Sequence, residues 1–256
     1  MDITDIIKES ITFPFNDYKG WLIIGLLSLI NAIISIGLSS NSIFAVILSI
    51  ISLIIEIMLY GIALDVIRGA INKSTEIPQI DFSKNIVDGI KTLILLIIYM
   101  IIPTIITLIV AFASGFLNTL YELVMEYGSA TAPTVPEALV SDFAIGMIIT
   151  CIVAFIVFVI FGLFTLIGEG ILAETGSIKA ALNINDVINK ISNIGWLKYI
   201  GFAILIGLVT SIIAIIGGIL ARIPTIGSLI AALIINSYVL LVTNHAYGLI
   251  YRESKE

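Results

Sequence analysis

The chain has 256 residues, of which 59% are hydrophobic and 12% charged, with a mean hydropathy of +1.18 and a formal net charge of −6. A soluble domain is about 45–50% apolar and about 25% charged, so this composition excludes a water-covered globule and makes lipid the medium around most of the chain. Scattered cations and a negative net charge exclude a nucleic-acid footprint.

A membrane-spanning helix needs about 20 mostly apolar residues. Six stretches qualify, at 20–38, 43–64, 92–116, 142–168, 196–220 and 225–245. Ahead of the first, Ile3, Ile6, Ile7 and Ile11 recur at helical spacing, the pattern of a helix lying in the headgroup plane. The opening Met1-Asp2-Ile3-Thr4-Asp5 is followed by no short apolar core with a small-residue cleavage site, so no signal is expected to be removed and the first span stays. Ser39-Ser40-Asn41-Ser42 closes a tight hairpin between the first two spans.

Glu56 stands about two thirds of the way along the second span. An acidic side chain at a helix centre costs about 2.5–3.5 kcal/mol on insertion scales. Ala45, Ser49, Ser52, Glu56, Tyr60 and Ala63 follow steps of three or four and share one helix face, which we place toward the bundle interior. Two readings of Glu56 stay open. It is a proton or cation site on a substrate path, or it is a neutral or paired acid whose partner is Asn31 of the first span or Asn244 of the sixth.

Before the third span, Phe82, Ile86, Val87 and Ile90 predict another in-plane helix. Pro103 is expected to kink the third span, and Thr107, Ala111 and Gly115 to form a small-residue packing seam on it. The segment 117–141 contains Gly128, Pro133 and Pro136, with 121–127 read as a short helix. In the fourth span, the lone Cys151 excludes an intrachain disulfide and a multi-cysteine metal site. Phe155, Phe158, Phe161 and Phe164 make a one-sided aromatic row there, and Glu169 and Glu174 beyond it, near Lys179, are read as solvated.

Residues 178–194 read as one amphipathic in-plane helix, with Ile178, Ala181, Leu182, Ile184, Val187, Ile188, Ile191 and Ile194 mostly at helical spacing and Lys179, Asn183, Asp186, Lys190 and Asn193 on the opposite side. Ala203, Gly207, Ser211, Ala214 and Gly218 form a second small-residue seam on the fifth span. After the Arg222-Ile223-Pro224 turn, the sixth span becomes polar, with Asn236, Ser237, Tyr238, Thr243, Asn244 and His245. The candidate intramembrane polar site is therefore Glu56, Asn31, Asn236, Asn244 and His245. His245 is the single histidine, and hydration at the membrane interface accounts for it more simply than a metal or proton-shuttle role.

Of the 12 Lys and Arg residues, all except Arg222 fall on one side of these spans, the side the positive-inside rule makes cytoplasmic. Both termini are expected there, in a multi-pass protein of the cell membrane. The expected fold is all-α and polytopic: one membrane domain over 1–256, built as three hairpins with repeat units at about 1–75, 80–175 and 177–252, each preceded by an in-plane helix. Gly20-Trp21-Leu22 and Gly195-Trp196-Leu197 are the strongest match between units.

These repeated units, with Phe13-Pro14-Phe15-Asn16-Asp17 leading into Gly20-Trp21-Leu22, resemble a family of archaeal multi-spanning membrane proteins catalogued as domain of unknown function 4013. More remotely the chain is similar to the membrane domain attached to some bacterial glycerophosphodiesterases. The resemblance implies fold and topology over nearly the whole chain and supplies no active-site residues.

No Gly-Lys-Ser/Thr phosphate loop, His-Glu-x-x-His or Gly-x-Ser-x-Gly occurs, so no enzymatic activity, metal or cofactor is expected. The first functional reading is a membrane-organising or accessory protein whose surface helices bind the lipid bilayer and a cytoplasmic or membrane protein partner; no oligomeric state is implied. The second is a transporter or channel for a small solute or a lipid, using Glu56 and the polar sixth span. A lipid-modifying enzyme would require Glu169, Glu174 and His245 to meet.

Overall fold

The computed structural model describes residues 1–37, 43–128, 134–224 and 226–255, and among these it contains helices and no strand. Isoleucine, which dominates the spans, has only middling helix propensity because its branched Cβ is stiff. In hydrocarbon, however, no water satisfies an open backbone, and the helix is what remains. Ser39-Ser40-Asn41-Ser42, Pro133 and Thr225, assigned above to turns and a span end, lie outside the described residues.

In chain order the α-helices are α1 (Ile3–Thr12), α2 (Tyr18–Gly37), α3 (Ile43–Ile71), α4 (Phe82–Ala113), α5 (Phe116–Tyr127), α6 (Glu137–Thr175), α7 (Ile178–Ala181), α8 (Ile184–Ile194), α9 (Trp196–Leu220), α10 (Ile226–Ile230) and α11 (Ser237–Glu253), with a 3-10 turn at Phe13–Asn16 after α1 and a π-helical turn at Ala231–Asn236 joining the last two. Six of these segments are long and apolar enough to cross a membrane: α2, α3, α4, α6, α9 and the continuous Ile226–Glu253. The chain is a multi-pass membrane protein.

Several helices run past the predicted spans. α3 continues to Ile71, α6 to Thr175 and α11 to Glu253, and α4 begins at Phe82. The in-plane helix expected before the third span is therefore not a separate element. It is the first turns of a single 32-residue helix. The Asp81 carboxylate accepts from the Lys84 amide at 3.1 Å and the Asn85 side chain accepts from the Asp81 amide at 2.9 Å, which caps a start at Phe82. Likewise 178–194 is two helices, because Asn183 accepts from the Asn185 amide at 3.2 Å and begins α8 afresh. The two Gly-Trp-Leu segments also differ locally: Gly195 precedes α9 with φ of 93°, whereas Gly20 lies inside the first turn of α2.

The chain divides into two compact units, Met1–Leu95 with Leu166–Glu256, and Leu96–Thr165. The larger unit has its buried residues at the end that carries both termini, where the Met1 amine and Lys198 flank Glu253 at 2.7 and 2.6 Å. There α1 buries Ile6, Ile7 and Ser10, and α8 buries Val187, Ile191 and Ile194. Their apolar faces thus cover the bundle, and only Ile184 and Ile188 of α8 remain among the exposed large hydrophobics. Phe13, Ile24, Ile62, Val66, Ile77 and Leu241 form one buried cluster. In the smaller unit, Ser114 bonds Thr150 at 3.1 Å, the Phe116 and Phe143 rings pack 5.4 Å apart, and α5 occupies Phe116–Tyr127 with no buried residue. α4 is continuous through Pro103.

The seam expected on the fifth span is not a tight contact. A Cβ built on Gly207 or Gly218 meets nothing within 4 Å, and it is Gly217 that packs, against Ile235. Close backbone approaches lie elsewhere: Gly25 against the Leu233 carbonyl, Gly61 against that of Asn85, Gly89 against that of Ile57, and Gly248 against that of Ile67.

Candidate functional site

Helix α3 presents Glu56, Leu59, Tyr60, Ala63, Leu64 and Ile67 to a cavity of about 750 Å³ in the larger unit, open enough that Glu56 is exposed. α2 contributes Ser28, Asn31, Ala32 and Ser35, α4 contributes Thr92, α6 contributes Glu169, and the last helix contributes Ser228, Asn236, Leu240, Thr243, Asn244 and Tyr247. Nineteen residues separate Ser228 from Tyr247; at about 1.5 Å per residue this wall is about 28 Å long, close to the thickness of a bilayer's hydrocarbon core. The same spacing rule that put the Glu56 stripe on one helix face also gathers Asn236, Leu240, Thr243, Asn244 and Tyr247.

Of the five candidate residues, four line this cavity: Glu56, Asn31, Asn236 and Asn244. The Asn31 amide donates to the Glu56 carboxylate at 3.1 Å and accepts at its oxygen from the Ser52 hydroxyl at 2.5 Å. Ser52 thus holds the Asn31 amide by its oxygen, and the amide nitrogen orients Glu56. An interhelical bond of this kind contributes about 0.6–1.7 kcal/mol inside a membrane. Asn244 uses its own amide hydrogen on the Leu240 carbonyl at 2.8 Å, leaving its oxygen as an acceptor.

His245 stands apart from the other four. It follows Asn244 by one residue and so points to another helix face, where it is 2% exposed, stacked on Phe13 with ring centroids 3.9 Å apart, and 3.4 Å from the Ser10 hydroxyl. The expectation of a hydrated interfacial histidine is corrected by α1, which packs over this site. Nearby, Trp21 donates to Ser237 at 3.0 Å, and Ser237, at the start of α11, donates back to the Leu233 carbonyl of the π-helical turn at 2.6 Å.

Glu169 is the larger surprise. Read from sequence as solvated, it lines the cavity with Glu56 and makes no hydrogen bond or salt bridge among the described residues. Its companion Glu174 points elsewhere, to Lys255 at 2.7 Å and to the Tyr251 hydroxyl. Glu169, Glu174 and His245 therefore occupy three different environments and do not form one constellation. Among the described residues no lining side chain is Lys, Arg or His, so these place two carboxylates at the cavity with no cation beside them.

A second polar cluster lies beside the cavity at the end carrying the termini. Asp65 and Asp88 are 5% and 6% exposed. Arg68 bridges them, bonding Asp65, reaching Asp88 at 3.1 Å, and donating its Nε to the Ala173 carbonyl at 3.0 Å. Lys84 also pairs with Asp65, Asn85 donates to it at 2.8 Å, and Lys91 stands 3.6 Å from Asp88. In the sequence these cations mark only the orientation of the spans. Together they tie α3, α4 and the end of α6, and Thr92, which reaches back to the Asp88 carbonyl at 3.0 Å, joins this cluster to the cavity wall.

A family model described as a protein of unknown function, DUF4013, matches residues 44–222, more than two thirds of the chain. The chain belongs to that family. No curated protein and no solved structure matches it. The DUF4013 segment includes Glu56, Glu169 and the Asp65–Arg68–Asp88 cluster, while Asn31, Asn236, Asn244 and His245 lie outside it.

Proposed function

We propose that this DUF4013 protein is a carrier for small cationic solutes in the cell membrane, with both termini in the cytoplasm and no bond-making or bond-breaking chemistry. One observation carries the reading: a cavity with a wall nearly as long as the hydrocarbon core is thick holds Glu56 and Glu169 and, among the described residues, no basic side chain. Ionisable residues at membrane depth face bundle interiors and mark ion or substrate routes. The carboxylates attract cations, the Asn, Thr, Ser and Tyr groups replace lost hydration, and anions are repelled. The distribution of Lys and Arg supports the orientation. The accessory-protein reading rests on the surface helices, whose apolar residues Ile6, Ile7, Val187 and Ile191 instead cover the chain's own bundle.

Reconstituted into proteoliposomes, the protein is expected to take up small organic or alkali cations. Glu56→Gln is expected to slow that uptake about tenfold or more, the effect of losing about 1.4 kcal/mol of site stabilisation. Cation flux indistinguishable from empty liposomes, or uptake unaffected by Glu56→Gln, sinks the proposal. His245→Phe provides the positional control. It preserves a ring against Phe13 outside the cavity, so uptake is expected to stay at the wild-type rate; a collapse of uptake with intact folding would mean that the route passes the other face of α11.

A further inference from the structure

We propose that the solute is a linear diamine, with one ammonium group at Glu56 and the other at Glu169. This rests on the carrier reading and names its substrate class.

The two carboxylates belong to different helices, α3 and α6, and line one cavity. Leu59, Ala63 and Leu240 also line it, giving the wall apolar surface as well as its two acidic groups. On α3 alone the lining runs from Glu56 to Ile67, an axial length of about 16 Å at about 1.5 Å per residue. Acidic groups plus an apolar wall match a molecule with cationic ends and a methylene middle. A single alkali ion satisfies one carboxylate and leaves the other facing no cation. A dication satisfies both, and its methylenes cover leucine side chains that water would wet poorly.

The test is calorimetric binding to the purified full chain in detergent, with α,ω-diaminoalkanes of increasing length titrated against n-alkylamines of equal carbon number and against sodium chloride. We expect an optimum chain length among the diamines, and a monoamine of that length bound about tenfold more weakly or worse. Glu56→Gln and Glu169→Gln should each reduce the best diamine to the monoamine's affinity. Because the length series needs no variant, a misfolding substitution does not protect the idea. Equal affinity for mono- and diamines, no dependence on length, no binding of any amine, or an unchanged diamine affinity in folded Glu169→Gln each overturns it. Parallel flux in proteoliposomes separates the two claims: alkali-cation uptake without diamine selectivity removes the diamine and keeps the carrier, and diamine binding without flux does the reverse.

Discussion

Arg68→Ala is expected to cost about 3–5 kcal/mol of stability, the size measured when one partner of a buried ion pair is removed. The guanidinium serves three acceptors on three helices: Asp65 on α3, Asp88 on α4 and the Ala173 carbonyl on α6. Both carboxylates are nearly inaccessible. Without Arg68, Asp65 keeps Lys84 and Asn85, but Asp88 is left with Lys91 at 3.6 Å, too long for a strong hydrogen bond. The orphaned Asp88 charge therefore accounts for most of the loss. Thermal unfolding in detergent reads it directly, and an unchanged midpoint for Arg68→Ala would refute the buried-network argument. Arg68→Lys should fall between, since an ammonium cannot reach all three acceptors with a fixed fork. Adding Asp88→Asn to Arg68→Met is expected to recover part of the loss, because it removes the uncompensated charge rather than restoring the pair.

The spans were legible because hydrocarbon imposes a length and an apolarity that any window along the sequence detects. The Glu56 face was legible for a similar reason: residues three and four apart share a face, and Asn31 was one of two partners named for it. Glu169 was not legible. Spacing within one helix says which residues point together but not which helices converge, and Glu169, five residues before Glu174 near a helix end, looked like part of a solvated acidic pair. The signal lay in Gly170 beside it, which packs against the Tyr251 ring and brings α6 close to α11. In the sequence Arg68 marks only the side of the membrane, and nothing in the spacing singles out Asp65. Only the approach of α4, with Asn85 and Asp88, makes them interior. His245 was misplaced because its cover comes from far away in sequence, Ser10 at the end of α1 and Phe13 just after it. Each miss is a tertiary contact between segments distant in sequence.

Gly61 and Gly89 should prove nearly as sensitive as Arg68, and for a connected reason. Gly61 of α3 lies against the Asn85 carbonyl of α4, and Gly89 of α4 lies against the Ile57 carbonyl of α3. The contact is reciprocal, one glycine on each helix and a backbone oxygen opposite each, and it replaces the hydrophobic drive that lipid does not supply between helices. A methyl at either position would sit well inside van der Waals contact with main-chain atoms, which cannot rotate away. The helices must move apart, and overpacking alone costs about 1–3 kcal/mol. The same two helices carry Asn85 to Asp65 and Asp88 to Arg68, so separation also lengthens the bridges that satisfy the buried carboxylates. We therefore expect Gly89→Val to destabilise more than overpacking predicts, and Gly61→Ala with Gly89→Ala to cost less than the sum of the single changes, since the second methyl meets helices already apart. Unfolding midpoints for the two single variants and the double variant close the cycle. Strict additivity would mean that the two contacts act independently, and that the ion network does not depend on how closely α3 and α4 approach.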